Sequence, residues 1–144
     1  MKIEKSFRVD RGRDEVVEVL STEDTLLDLF PGETEIVESG NDRRTTRTHY
    51  SALGREGVAT FHWTTLLDGN LRFEKVCDGR IWRELRGEVM VEEQGSGSRV
   101  RIEMSGRTKS LVPEFTIKGQ MEEQIAQMSR ALRDRLGQGG GESR

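Results

Sequence analysis

The chain has few of the residues from which a reaction is usually read. In 144 residues it holds one cysteine, Cys77, two histidines, His49 and His62, one tyrosine, Tyr50, and two prolines. A single cysteine excludes an internal disulfide and fits a reducing, cytoplasmic compartment. One cysteine and two separated histidines make no zinc-ligand spacing, and no cofactor is implied. No glycine-rich loop joins a strand to a helix, since Gly137-Gln138-Gly139-Gly140-Gly141 follows a helical segment. Nothing approaches the roughly 20 apolar residues of a membrane span, so membrane insertion is not expected. Met1 to Asp10 has no apolar run resembling a signal peptide. Nor is there an excess of one charge: 23 basic and 26 acidic residues are interspersed, for a net charge of −3. Without a basic stripe to track phosphates, nucleic acid is not an expected partner.

What remains is a highly charged chain, 34% Asp, Glu, Lys and Arg against 33% apolar, whose apolar residues are periodic. A chain of this length forms one domain with a real core. Ile3, Lys5, Phe7 and Val9 alternate with polar residues as in a half-buried strand. Asp14 and Glu15 then open a short helix through Leu20, because carboxylates suit a helix N-terminus. A second short helix is expected over Glu23 to Leu29, capped at Ser21-Thr22 and ended by Pro31-Gly32. From Glu33 to Ser110 the period is two. Five turn signals cut this region into six strands: Ser39-Gly40-Asn41-Asp42, Leu53 to Gly57, Asp68-Gly69-Asn70, Asp78-Gly79 and Gln94 to Ser98. No room is left for crossover helices, so the sheet is an antiparallel meander.

Pro113 is placed to start a long helix. Met121, Ile125, Met128, Leu132 and Leu136 recur at helical spacing as one apolar stripe, with Arg130, Arg133 and Arg135 on a solvated face near the negative end of the helix dipole. Gly137 to Arg144 reads as a frayed tail. The order is strand, two short helices, six strands and a long helix: an α+β fold in which the helix stripe must cover the sheet's inner face.

Several phrases in this order resemble the START-like, or SRPBCC, helix-grip superfamily. Its members include polyketide cyclase/dehydrase-like proteins, lipid-transfer domains and plant pollen-allergen proteins. The strand Ile3–Val9 running into Asp14-Glu15-Val16-Val17-Glu18-Val19-Leu20-Ser21 looks like its opening strand and first helix. Leu29-Phe30-Pro31-Gly32 looks like the end of its second helix. Leu85 to Val91, the glycine hairpin and Arg99 to Ile102 look like its late strand pair. The resemblance covers residues 1–137, taken as one domain with a tail over 138–144. It implies a seven-stranded antiparallel sheet gripping the C-terminal helix around a cavity. Relatives use that cavity to bind lipids, sterols, polyketides or quinone-like molecules, and a minority catalyse cyclisation or dehydration.

Strand matching assigns the inner face. Val100, Ile102 and Met104 face inward, as do Leu85, Val89 and Val91, then Leu71 and Phe73, then Phe61 and Trp63, and Thr46, Thr48 and Tyr50. Core packing is the first reading for Tyr50, Phe61, Trp63 and Phe73, and lining a ligand pocket the second. The methionines Met104 and Met121 suit a cavity for varied apolar shapes but equally a core. The ligand-binding set is Tyr50, Phe61, Trp63, Phe73, Leu85, Val89, Ile102 and Met104 from the sheet, with Phe115, Ile117, Met121 and Ile125 from the first half of the helix. No nucleophile stands beside either histidine in any short motif, so no catalytic residue is assigned. Arg44, Arg47 and Arg83, and the carboxylates Glu84, Glu88, Glu103 and Asp78, fall mainly on outward positions.

Three readings follow. The first is non-covalent binding or transport of a small hydrophobic molecule, with a homodimer left open. The second is a cyclase/dehydratase-type lyase using Tyr50, His49, Glu84 or a threonine; it requires ionisable groups to converge inside the cavity. The third is a protein-interaction module, which a filled core, an exposed apolar patch and a cavity under roughly 300 Å³ would favour.

Overall fold

Period-two alternation and one helical stripe account for nearly every buried position. The computed structural model describes residues 1–52, 54–77 and 81–138. Its elements are β1 (Lys2–Val9), α1 (Arg13–Leu20), α2 (Glu23–Leu26), β2 (Glu33–Ser39), β3 (Arg43–Ala52), β4 (Arg55–Thr65), β5 (Leu71–Lys75), β6 (Trp82–Gln94), β7 (Gly97–Thr108) and α3 (Phe115–Gln138). The seven strands form one antiparallel sheet in the order β1-β7-β6-β5-β4-β3-β2. β2 to β7 form the expected meander, and β1 returns to pair with β7, Phe7 opposite Val100 and Ile3 opposite Met104.

The register carries inward residues into line across the sheet. Val100 faces Val91, Ile102 faces Val89, Val89 faces Leu71, Phe73 faces Trp63 across β4–β5, and Thr46 faces Phe61. All of these are buried. α3 lies over β1 and β7. Its stripe of Ile117, Met121, Ile125, Met128, Leu132 and Leu136 is buried on that inner face, while α1 contributes Val16 and Leu20. Among the described residues no helix is long and apolar enough to cross a membrane.

Five boundaries differ from the sequence reading. α2 stops at Leu26, and Leu27 and Asp28 bond back three residues to Asp24 and Thr25. That tighter turn releases Leu29 and Phe30 inward, where both are buried. α3 starts at Phe115; Pro113 and Glu114 form the preceding turn, whose carbonyls accept from Thr116 and Ile117. At the other end the helix continues through Gly137 to Gln138, where a frayed tail was expected, and residues 139–144 lie outside the described residues. The β3–β4 and β6–β7 connections are tighter than the turn signals suggested, with Ala52 pairing Arg55 and Gln94 pairing Gly97. Leu53 and the Asp78-Gly79 signal lie outside the described residues.

Gly87 shows how closely the sheet is packed. It occupies an inward position opposite Phe73, and a Cβ there would lie 2.4 Å from the Phe73 ring and 2.4 Å from the backbone oxygen of Glu103. The α2 end is fastened by charge. Ser39 Oγ donates to Glu23 Oε2 at 2.5 Å, and the Arg44 guanidinium lies 2.7 Å from the same oxygen. The hydrogen bond from Ser39, then the Arg44 charge, hold the Glu23 carboxyl below the ordinary glutamate range against an opposing desolvation effect.

Two outcomes follow. Gly87→Ala is expected to lower unfolding free energy by about 1–3 kcal/mol in urea titrations, because the backbone contact cannot rotate away. A depressed carboxyl pKa stabilises the fold above the unfolded-state value and stops doing so as pH falls through the folded-state value. Thermal melts should therefore show wild type above Glu23→Gln at pH 7, with the gap closing below about pH 4. An equal gap at both pH values would contradict this.

Candidate functional site

The centre of the grip is filled. Phe30, Phe61, Trp63 and Phe73 form a cluster with ring centroids 4.3–6.3 Å apart, Phe30 stacking on Phe61 at 4.3 Å. The one polar atom of this cluster is paired, since Trp63 Nε1 donates to the buried Thr46 Oγ1 at 2.9 Å. Leu85, Val89, Ile102, Met104, Ile117 and Met121 are completely buried around it, and Ile125 nearly so.

Beside this core the first half of α3 stands off from β3, β4 and β5 and leaves a cleft of about 100 Å³. Its apolar surface comes from Phe30 and Pro31 on the α2–β2 connection and from Ala59 and Phe61 on β4. Polar groups surround it: Thr48, Tyr50 and Ser51 on β3, Lys75 on β5, and Gln120, Glu123 and Gln124 on α3. The Tyr50 ring lies across Gly57, where a Cβ would meet its Cζ at 2.5 Å. Thr48 shares a 2.7 Å hydrogen bond with Thr34, and Lys75 Nζ sits 4.8 Å from the centre of the Trp82 ring. Gln124 Oε1 is buried and meets no hydrogen-bond donor among the described residues.

Of the twelve residues assigned from the sequence, Tyr50 and Phe61 line this cleft. Trp63, Phe73, Leu85, Val89, Ile102, Met104, Ile117, Met121 and Ile125 are buried in the packed interior. Phe115 departs from the expectation: it is 76% exposed. It precedes Ile117 by two residues, about 200° round the helix, so the two cannot share a face. Phe30, Ala59, Lys75, Gln120, Glu123 and Gln124 were missed. A signal existed for two of them, because Gln120 and Gln124 fall within about 60° of Ile117 on the helix surface. Neither was named from the sequence, because the stripe was drawn through apolar residues alone.

Of the groups considered for catalysis, Tyr50 and Thr48 line the cleft, and the others lie elsewhere. His49 pairs with Glu35 at 3.1 Å and His62 shares a 3.0 Å bond with Thr45, both on the outer face. Glu84, Glu88 and Glu103 pair outside with Arg86, Arg72 and Lys2 at 3.2, 3.7 and 3.5 Å. Arg44 is held by Glu23, while Arg47 and Arg83 are exposed. Cys77 is partly buried, with Sγ 3.7 Å from the Lys75 carbonyl oxygen, and Asp78 lies outside the described residues. Three larger hollows, of about 570 Å³ over the outer face at Gly87, about 550 Å³ beside the second half of α3 and about 300 Å³ at Arg43, Arg44 and His62, are lined largely by charged and polar side chains. The α3 cleft, although smaller, is bordered by two rings of the aromatic cluster, Phe30 and Phe61, whereas the first of the larger hollows touches Phe73 and the second Phe30.

No protein-family model matches the chain, and no curated protein does. Solved structures do. An aromatase/cyclase, Zhui, from Streptomyces sp. R1128 superposes with a TM-score of 0.74 at 18% identity, over 97% of this chain and 93% of that one. A START superfamily protein from Mycobacterium smegmatis gives 0.70 at 13% identity over 95% and 97%. A STAR-related lipid transfer protein from Xanthomonas axonopodis gives 0.66 at 18% identity over 94% and 85%. At these identities the likeness speaks for architecture. With its seven-stranded antiparallel sheet closed by a long C-terminal helix, the chain has the START-like helix-grip fold.

Proposed function

We propose that this chain binds a small, largely apolar molecule non-covalently in the cleft between α3 and strands β3–β5. The observation that carries the reading is the stacked pair Phe30–Phe61, an aromatic floor reached through a rim of hydroxyl, amide and charged groups. An apolar surface with a few orienting polar groups is the usual composition of a small-molecule site. The names of two structural neighbours, an aromatase/cyclase and a lipid transfer protein, agree with a container role. Size narrows the ligand. About 100 Å³ is below the roughly 300 Å³ of a drug-sized site, and of the same order as the ~150 Å³ apolar cavity that holds benzene. The part of the ligand that enters is therefore no larger than about one ring.

A second reading, a protein-interaction module, is favoured by the packed aromatic core, by a cleft well under roughly 300 Å³ and by the exposed side chains next to the cleft's helix. Leu111, at φ 74°, and Phe115 both project into solvent at the β7–α3 connection. This reading expects Leu111→Ser combined with Phe115→Ser to abolish self-association or partner binding without touching the cleft.

Ligand-observed NMR with toluene, together with native mass spectrometry of gently purified protein, tests the first reading. Binding by wild type and a loss of at least about tenfold in Ala59→Phe, which fills the cleft wall, is the expected result. Protein recovered empty that also ignores small aromatic probes would overturn it, as would unchanged binding in the folded Ala59→Phe variant.

A further inference from the structure

The β7–α3 connection holds a leucine in a strained backbone and leaves it in water. Leu111 sits at φ 74°, a left-handed conformation that a branched side chain adopts only at a cost. No burial offsets that cost, because Leu111 is wholly exposed. Four residues on, Phe115 is 76% exposed on the side of α3 away from Ile117. Ile81 is partly exposed beside them, where its carbonyl accepts from Lys109 N at 2.9 Å. Thr108 Oγ1 donates to the Val112 carbonyl at 2.6 Å, and Val112 N to that of Lys109 at 3.0 Å, so the turn presenting Leu111 is tied to the end of β7. The surroundings are basic. Arg107, Lys109 and Lys118 are exposed, and Lys118 lies one turn along α3 from Phe115. Residues 107–118 hold these three cations and a single acidic side chain, Glu114, for a net charge of +2 in a chain of net −3.

From this combination we infer that the β7–α3 connection docks on the surface of an anionic lipid bilayer. Leu111 and Phe115 press into the headgroup region, and Arg107, Lys109 and Lys118 meet the headgroups. Nothing crosses the membrane in such a contact. Interfacial binding draws on both parts, apolar side chains for burial and cations for attraction to anionic lipid. A bilayer fits these observations better than a protein partner does. A stable protein interface needs roughly 1,000 Å² of complementary surface, with lysine depleted from its core. Here separate apolar side chains project among lysines, and a fluid lipid surface accepts them without a matching shape. The inference is independent of the cleft reading, since none of these residues lines the cleft.

Co-sedimentation with vesicles tests it, comparing phosphatidylcholine alone with an equal mixture of phosphatidylcholine and phosphatidylglycerol. Wild type is expected to bind the mixed vesicles at least about tenfold more tightly at low salt, and to lose most of that preference near about 0.5 M salt. Leu111→Asn combined with Phe115→Ser should weaken binding to the mixed vesicles by at least about fivefold, as should Lys109→Gln combined with Lys118→Gln. Asparagine accepts a left-handed backbone, so the first variant should melt no lower than wild type and its loss of binding is not a loss of fold. A markedly lower melting temperature would assign Leu111 a structural role and overturn the inference. Equal binding to both vesicle types, binding that survives the apolar double variant, or no vesicle binding at all would each overturn it too. Self-association in sedimentation velocity that the same variant removes, without vesicle binding, would overturn it in favour of a protein partner.

Discussion

The sheet's parity constrains everything else in this molecule. Side chains alternate across a strand, so a one-residue slip in any strand pair would turn a whole row of apolar groups to water. Here five pairings in succession keep the same parity, from Phe7 opposite Val100 on β1–β7 to Thr46 opposite Phe61 on β3–β4. One continuous inner face results, and only a long amphipathic helix can cover it. The stripe of α3 is therefore as much a consequence of the sheet as a partner to it. Where a side chain would break the packing on that face, glycine stands, as at Gly87 beneath Phe73.

The cleft arises where this arrangement runs out of large apolar side chains. On β3 the inward positions are Thr46, Thr48 and Tyr50, and on β4 the row ends in Ala59 and Gly57. The helix above them presents Gln120, Glu123 and Gln124. Small and polar groups facing one another cannot reach the density that Phe61, Trp63 and Phe73 attain with Met104 and Met121 a few ångströms away. The gap opens for that reason, with the edge of the aromatic cluster as its floor. A tight turn after α2 completes it by sending Phe30 inward onto Phe61.

Much of this was legible before any coordinates. Met121, Ile125, Met128, Leu132 and Leu136 announce a helix face because their spacing needs no partner to interpret it. Phe61 and Trp63, like Ile102 and Met104, are placed by alternation with polar neighbours, and their burial follows. Phe115 illustrates the limit: an apolar residue just ahead of the stripe looks like part of it until the helix start is known to the residue. Gln124 illustrates the converse, a polar side chain whose position beside the stripe matters more than its polarity.

The sequence by itself determined the order of elements, the antiparallel meander and the identity of the core, because these depend on periods of two and 3.6 that local chain geometry imposes. Tertiary structure alone decided which inward residues fill the interior and which border a cleft. That distinction depends on how far α3 stands from β3 and β4, and on which side chains close the gap between them. Strand partners, helix rotation and the tight turn at Leu27–Asp28 set those distances together, and no local pattern encodes their sum. Cys77, His49 and His62, scarce enough to invite a chemical reading, proved to lie outside the cleft lining, where Phe30, Phe61 and Gln124 meet.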